Sequence, residues 1–220
     1  MKAAIPQFIG AKVKRREDPD LITGQGAYVA DIPLENVAHM AVLRSPFAHA
    51  RIRRIDTSKA SSMKGVLAVL TGEDINPRLS KGLPVVMETI VGEYSVLRKL
   101  ARYPLTTDKV RHVGDPIAVI LADDGYLAAD ALEKVHVDYE QLPAVSDPEG
   151  ALAETAPLIH ESFEDNRGFV WSVQGGDVEN AFVTADTVIE LRSQIPRLIP
   201  NAVEPRAVAA QYDITSDHFT

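Results

Sequence analysis

The sequence predicts a mixed α/β (α+β) fold, and three consecutive patterns within residues 108–145 indicate it. Residues 110–121 are rich in Val and Ile, which is typical of a strand. Apolar residues then recur at helical spacing from Leu127 to Val135. Between Val135 and Glu140 apolar and polar residues alternate, which again indicates a strand. The stretch therefore reads as strand, helix and strand, with one helix face buried.

Two short interruptions organise this unit. Gly114 and Pro116 fall inside the first strand-like run, and because proline cannot donate to a ladder, they predict a bulge or an edge there. Asp123 and Asp124, followed by Gly125, end the strand and offer carboxylates that can cap the helix. We therefore expect the helix to begin directly after these two aspartates.

The residues before this unit predict further short elements. Residues 40–43 and 47–55 read as strands, residues 56–58 as the cap of a short helix that ends near Met63, and residues 65–70 as a buried strand. Residues 76–107 contain few periodic signals. Within them we predict a strand over 83–86 and a short helix over 94–101.

The residues after the unit are less regular. Residues 146–159 read as a linker that Pro148, Gly150 and Pro157 punctuate. Asp177 is positioned to cap a short amphipathic helix that runs to Ala185. Residues 187–195 and 206–212 are then predicted as strands.

Composition excludes several classes of protein. The net charge of −8 argues against a general phosphate-binding surface, so nucleic acid is not an expected partner. No apolar run reaches the roughly 18 residues of a membrane helix, and the first residues contain no apolar signal segment. The chain has no cysteine, which excludes disulfides, thiolate zinc sites and iron–sulfur ligation by this chain. These features together predict a cytoplasmic location.

The histidines do not predict a metal site. None of the six belongs to an HExxH motif, and no pair has a recognisable ligand spacing. His49, in a corner between two predicted strands, is the most site-like of them. The favoured interpretation for His49 is structural, with its side chain bonded to a neighbouring carbonyl.

The carboxylates and glycines also favour structural roles. Asp138 and Glu140 share a strand face and are expected to point into water or toward Arg or Lys. Glu204 and Arg206 flank a proline, and we expect them to pair and shape a loop. The Gly24-Gln25-Gly26 step lacks a third glycine and a following helical pattern, so it predicts a tight turn and not a dinucleotide loop. We therefore assign no catalytic, cofactor-binding or metal-binding residue.

Several long segments resemble the large subunits of the molybdopterin-dependent hydroxylases, the family of xanthine dehydrogenase, aldehyde oxidase and aerobic carbon monoxide dehydrogenase. The resemblance rests on KVRHVGDPIAVILAD, AADALEKVHVDYEQLPAV and RSPFAHARIRRIDTSKASSMKGVLAVLTGEDI, and further on GDVENAFVTADTVIELRSQ and EPRAVAAQYD. It covers nearly all of this chain. In that family the pterin-binding loops and the catalytic carboxylate lie further along the subunit, so no catalytic residue can be carried over.

The resemblance implies a domain organisation. An N-terminal arm would occupy residues 1–23, an α/β-hammerhead domain residues 24–146, a linker residues 147–160, and the incomplete beginning of a molybdopterin-binding domain residues 161–220. Met1 suggests an intact N-terminus, whereas the abrupt end at Thr220 suggests a split gene or a truncation.

The resemblance also implies cofactors and partners. The complete complex would hold a molybdopterin-type molybdenum cofactor, FAD and [2Fe–2S] clusters, none of them bound by this chain alone. The partners would be the remaining molybdopterin-binding polypeptide, an FAD-binding medium subunit and an iron–sulfur small subunit, and a homo-oligomer stays open. Substrate oxidation would then be an activity of the whole complex. The alternative is a stand-alone, non-catalytic interaction module that retains the hammerhead fold.

Overall fold

The computed structural model describes residues 10–83, 93–98, 100–173 and 175–220, with the backbone alone for residues 93–97. The chain divides into two compact units. Asn36–Val188 form one of them, and Met1–Glu35 together with Ile189–Thr220 form the other.

Two antiparallel three-stranded sheets form the centre of the 36–188 unit. The first has the order β1-β6-β3, and the second has the order β5-β2-β7. The strands of the first sheet are β1 (His39–Arg44), β3 (Val66–Thr71) and β6 (Pro116–Ala122). Those of the second are β2 (Ala50–Asp56), β5 (Lys109–Val110) and β7 (His136–Gln141). The strands predicted for these regions are confirmed.

The Gly114–Pro116 step divides one predicted strand between the two sheets. Gly114 adopts a positive φ of 89°, which a glycine tolerates without strain, and its N–H donates to the Ser45 carbonyl at 2.8 Å. Pro116 is the first residue of β6 and pairs with Arg44, where the register of β1 shifts. The predicted irregularity is therefore confirmed, and it also moves the chain from one sheet to the other.

Two small cores lie on opposite sides of β6. Ala50, Val110 and Ile117 form the first, against which Phe47 and Tyr139 also pack. The second contains Ala60, Ile120 and Ala131, and partly buried aliphatic side chains surround it. Ile117 and Ile120 are three residues apart on one strand, so their side chains point to opposite faces. A strand buried on both faces has a nearly continuous apolar sequence, as this one does.

Helix α4 (Gly125–Leu132) covers the first sheet and contacts all three of its strands. Its N-cap is Asp124, whose carboxylate accepts the N–H of Leu127 at 2.8 Å, as predicted. Ala128 and Ala131 are the helix residues that become buried. Two shorter helices, α2 (Ser58–Ser61) and α3 (Gly72–Ile75), flank β3.

The region between residues 76 and 107 differs from the prediction. The helix predicted over 94–101 is wrong, because Glu93–Leu97 form a strand, β4, that pairs with β8 (Phe169–Ser172). Leu83 forms an isolated bridge with Arg102, and the remainder of the strand predicted over 83–86 lies outside the described residues. Pairing with a strand some 70 residues later decides this conformation, and local sequence patterns do not contain that information.

The C-terminal residues also differ. Asp177 caps helix α5 (Val178–Thr184) as predicted, with its carboxylate accepting the N–H of Asn180 at 3.1 Å. The strand predicted over 187–195 is wrong, since those residues have no regular secondary structure. Of the strand predicted over 206–212 only the last residue pairs, in a hairpin of β9 (Tyr212–Asp213) and β10 (His218–Phe219).

Near the N-terminus lies the short helix α1 (Asp18–Ile22), which has no buried residue. Within the described ranges, no helix has the length and apolar character needed to cross a membrane.

The cap of α4 gives a first test. Replacing Asp124 with Ala should lower the free energy of unfolding by about 1 kcal/mol, because the Leu127 N–H loses its acceptor at the start of a packed helix. Asp177→Ala is the matched control: it removes the same type of cap from α5, which buries no residue, and should cost less than about 0.5 kcal/mol. Urea unfolding of both variants measures the difference. Equal losses would contradict the packing of α4 described above.

Candidate functional site

A cavity of about 350 Å³ lies in the 36–188 unit, beside the start of β8. Its apolar lining comes from residues on three separate stretches of chain, Leu100, Val145, Ala151, Ile159 and Phe163. Its polar lining comes from Arg98, His160, Asp165, Asn166 and Arg167. An apolar cavity with a few convergent polar groups is the usual form of a small-molecule site.

Asn166 shapes the wall of this cavity. Its Nδ2 group donates to the carbonyls of Ala151 and Pro157, at 3.1 and 3.0 Å, and its Oδ1 accepts the N–H of Ile159 at 3.0 Å. One amide side chain thus joins three points of an otherwise irregular segment. Nothing in the local sequence distinguishes Asn166 from a surface asparagine, and the sequence analysis did not identify it.

Asp165 holds two arginines at the cavity. Its Oδ1 lies 2.6 Å from Nη1 of Arg98, and its Oδ2 accepts from Nε of Arg167 at 2.7 Å. The backbone N–H of Arg167 also donates to this carboxylate, and this bond is the main cause of the lowered pKa of Asp165. The Arg98 guanidinium lies 5.0 Å from the ring centroid of Phe163, which is a cation–π distance.

Cationic side chains in and directly after strand β5 bind the opposite wall of the cavity. Lys109 is 3% exposed, and its Nζ donates to the carboxylate of Glu161, whose pKa this hydrogen bond lowers. Arg111 Nε donates to the Ile159 carbonyl at 3.1 Å. Between these two attachments lies His160, whose pKa is lowered first by burial and second by the positive charge of Arg111.

His49 has the structural role predicted for it. The imidazole is 4% exposed, and its Nδ1 lies 2.6 Å from the carbonyl of Pro143, so Nδ1 carries the hydrogen in this contact. The Leu142 N–H donates to the His49 carbonyl at 2.9 Å. His49 therefore holds the chain where it leaves β7, while its buried Nε2 has no partner among the described residues.

The paired carboxylates on β7 also agree with the prediction. Glu140 lies 3.4 Å from Arg51 and 2.6 Å from Arg53, both on the neighbouring strand β2. Asp138 is exposed. These groups are surface charges of a sheet and not an acid–base pair.

The predicted pair between Glu204 and Arg206 is wrong. Glu204 is partly buried, and its Oε1 accepts the N–H of Val29 at 2.9 Å, whereas Arg206 is exposed. The donor, Val29, belongs to a turn that starts at Tyr28 and lies 175 residues earlier in the chain. A cavity of about 150 Å³ lies beside this contact. Only the tertiary structure brings these two stretches together, so the near neighbour in sequence was misleading.

The Gly24-Gln25-Gly26 step is a turn, as predicted. The N–H groups of Gln25 and Gly26 both donate to the Asp20 carbonyl, at 2.8 and 3.0 Å, and thereby close the end of α1. Gly24 has a positive φ of 72°. No helix begins at this step, so it does not form a dinucleotide-binding loop.

The segment after residue 188 exposes many apolar side chains. Between 79% and 90% of each of six aliphatic side chains is exposed: Ile189, Leu191, Ile195, Leu198, Ile199 and Val203. Contiguous exposed apolar patches are typical of association surfaces in proteins. We call these six residues the C-terminal apolar segment.

Metal ligation is not supported by the described residues, in which no group of three or more His, Asp or Glu side chains is arranged to hold an ion.

The comparisons with known proteins agree with one another. The family model for the aldehyde oxidase and xanthine dehydrogenase a/b hammerhead domain matches residues 23–143. The gamma subunit of the 6-hydroxypseudooxynicotine dehydrogenase complex of Paenarthrobacter nicotinovorans is 36% identical over 213 residues, which are 96% of this chain and 26% of that protein. The carbon monoxide dehydrogenase large chain of Afipia carboxidovorans is 35% identical over 229 residues, which are 97% of this chain and 27% of that one.

A solved structure shows the same fold. The crystal structure of quinoline 2-oxidoreductase from Pseudomonas putida 86 matches with a TM-score of 0.79 and 33% identity, over 94% of this chain and 25% of that chain. The chain thus spans about a quarter of the length of these relatives and corresponds to an N-terminal portion of them. The predicted fold class and family resemblance are both confirmed.

Asn166 can be tested by an exchange of donor for acceptor. Asn166→Asp directs a carboxylate at the Ala151 and Pro157 carbonyls and should lower the free energy of unfolding by about 2 kcal/mol. Asn180→Asp, at an exposed position, makes the same change and should cost less than about 0.5 kcal/mol. Trp171, the single tryptophan, reports on unfolding from the nearby strand β8. Equal stability of the two variants would remove the role assigned to Asn166.

His160 should titrate below its ordinary pKa of 6.5, because burial and Arg111 both disfavour its protonated form. Above pH 6.5 the folded and unfolded chains both hold it neutral, so it has no effect on stability there. As the pH falls below 6.5, only the unfolded chain gains the proton, and stability declines until the folded pKa is passed.

An NMR titration of the imidazole resonances, assigned with His160→Gln, measures this pKa directly. Urea unfolding at several pH values should show that His160→Gln removes the corresponding part of the decline. A His160 midpoint at or above 6.5 is incompatible with the buried position described.

Proposed function

Because the chain belongs to the aldehyde oxidase and xanthine dehydrogenase family, we propose that it forms the N-terminal structural portion of a molybdenum hydroxylase large subunit. In this role it supplies fold and subunit contacts, while the cofactor and the catalytic groups belong to the rest of the assembly. The single observation that carries the proposal is the C-terminal apolar segment. Its six side chains are exposed in a chain that spans about a quarter of its relatives' length.

The conformation of that segment supports an association role. Residues 187–195 have a strand-like sequence but no regular structure, and a strand is stable only when its backbone groups pair with a neighbour. Ile189, Leu191 and Ile195 lie at odd-numbered positions, so in a strand their side chains would share one face. Pairing with a strand of a partner would provide hydrogen bonds for the backbone groups and would also bury this apolar face.

The proposed partners follow from the family. They are the remaining molybdopterin-binding polypeptide, an FAD-binding medium subunit and an iron–sulfur small subunit, and a cytoplasmic location belongs to the same proposal. The complex would oxidise a small carbon substrate with an oxygen atom from water and pass the electrons to its clusters. No step of that reaction is attributed to the described residues.

The domain limits belong to the same proposal: an arm over residues 1–23, the hammerhead domain over 24–146, a linker over 147–160 and the beginning of the cofactor domain over 161–220. Lys109 and Arg111 attach the 151–166 stretch to the hammerhead domain, and Asn166 joins points within that stretch. We therefore expect the linker to move with the hammerhead domain and not as a free tether.

Purification of the native complex through this chain tests the proposal. We expect molybdenum, flavin and iron to co-purify, together with at least one polypeptide that carries the cofactor-binding portion. Metal analysis and mass spectrometry of the same sample give both results. A metal-free chain that purifies alone would overturn the proposal and leave the stand-alone module.

Two variants test whether the C-terminal apolar segment is the surface that binds the partner. Leu191→Asp combined with Ile195→Asp should reduce the co-purified molybdenum at least about tenfold, because it places two charges where a partner must bury apolar surface. Tyr126→Asp is the control, at a side chain as exposed as Ile195 but located on α4. An equal loss in both variants would show that the C-terminal apolar segment is not the docking surface.

A further inference from the structure

We propose that the cavity beside His160 binds a small planar organic anion of the aromatic carboxylate class, with its ring against Phe163 and its carboxylate between Arg98 and Arg167. The relevant residues all lie in the 36–188 unit, so this site is independent of the assembly proposed above.

The charges around the cavity favour an anion. Of the described residues that line it, two are cationic, Arg98 and Arg167, and one is a carboxylate, Asp165. One positive charge is therefore in excess among these lining residues, while the chain as a whole carries a net charge of −8.

The arginines also retain unused donors that can bind a carboxylate. A guanidinium carries five N–H groups in a planar fork. Among their contacts with described residues, Arg98 uses Nη1, and Arg167 uses Nε and Nη2. Nη2 of Arg98 and Nη1 of Arg167 thus have donors left for a ligand. The Arg98 side chain is only 15% exposed, which strengthens its interaction with a negative charge.

The shape and apolar character of the cavity favour a flat ligand. Phe163 and His160 present two rings with centroids 6.0 Å apart and planes inclined at 54°. Leu100, Val145 and Ile159 complete an apolar wall that a ring can contact. The volume of about 350 Å³ lies in the lower part of the roughly 300–1,000 Å³ range of small-ligand pockets. Acetate would satisfy the arginines but leave this wall uncovered.

Benzoate, benzamide and acetate are suitable probes for an NMR titration of the full 220-residue chain. We expect benzoate to shift the amides of Arg98, His160, Phe163 and Arg167, with a Kd of about 1 mM. Benzamide lacks the charge and acetate lacks the ring, so each should bind at least about tenfold more weakly. Equal affinity for benzoate and benzamide, or shifts scattered over the surface, would overturn the proposal.

Two charge-removing variants make the test specific. Arg167→Gln should weaken benzoate binding about five- to tenfold, because it removes one of the two donors at the cavity rim. Arg54→Gln is the matched control: Arg54 also pairs with an aspartate two residues away, Asp56, but lies on β2 and should leave the affinity unchanged. An equal effect of the two variants would show that benzoate responds to overall charge and not to this cavity.

The purified complex distinguishes a ligand site from a docking pocket. Benzoate should bind to the complex as it binds to the chain. If benzoate binds the isolated chain but not the complex, a partner side chain occupies the cavity and the proposal is wrong.

Discussion

The burial of β6 on both faces is the constraint on which the rest of the 36–188 unit depends. Ile117 and Ile120 are both fully buried, one in each of the two cores, and the strand pairs with β1 on one side and β3 on the other. Each core is small, so neither would be stable without the strand that both share. Strands β1 and β3 and helix α4 all contact β6 directly.

The cavity depends on the same arrangement. β5 ends at Val110 and is an edge strand of the second sheet, so Lys109 and Arg111 lie at that edge, and the Gly114–Pro116 turn then begins β6. From there they bind Glu161 and the Ile159 carbonyl, and Asn166 then joins this stretch to Ala151. Polar contacts therefore order the irregular chain beyond β7. The charged groups of this stretch lie around the cavity.

The sequence predicted best where periodicity is local. β7 follows from alternation, α4 from helical spacing and its start from the Asp124 carboxylate, because neighbouring residues determine all three. It failed where a distant partner decides the outcome: Glu93–Leu97 became a strand because β8 pairs with it, and Glu204 binds Val29 and not Arg206. The family was recognisable from long runs of sequence, but Asn166 acts only through three contacts that the fold creates.

Strand β6 and residues 187–195 differ in whether their backbone groups are paired. The amides of β6 lie in the middle of a sheet, whereas residues 187–195 have a strand-like sequence with no partner in the described part of the chain. Hydrogen–deuterium exchange measured on the isolated chain and on the purified complex tests this most directly. We expect β6 to be strongly protected in both samples, and residues 187–199 to exchange freely in the isolated chain and to become protected in the complex. Strong protection of 187–199 in the isolated chain, or none in the complex, would contradict it.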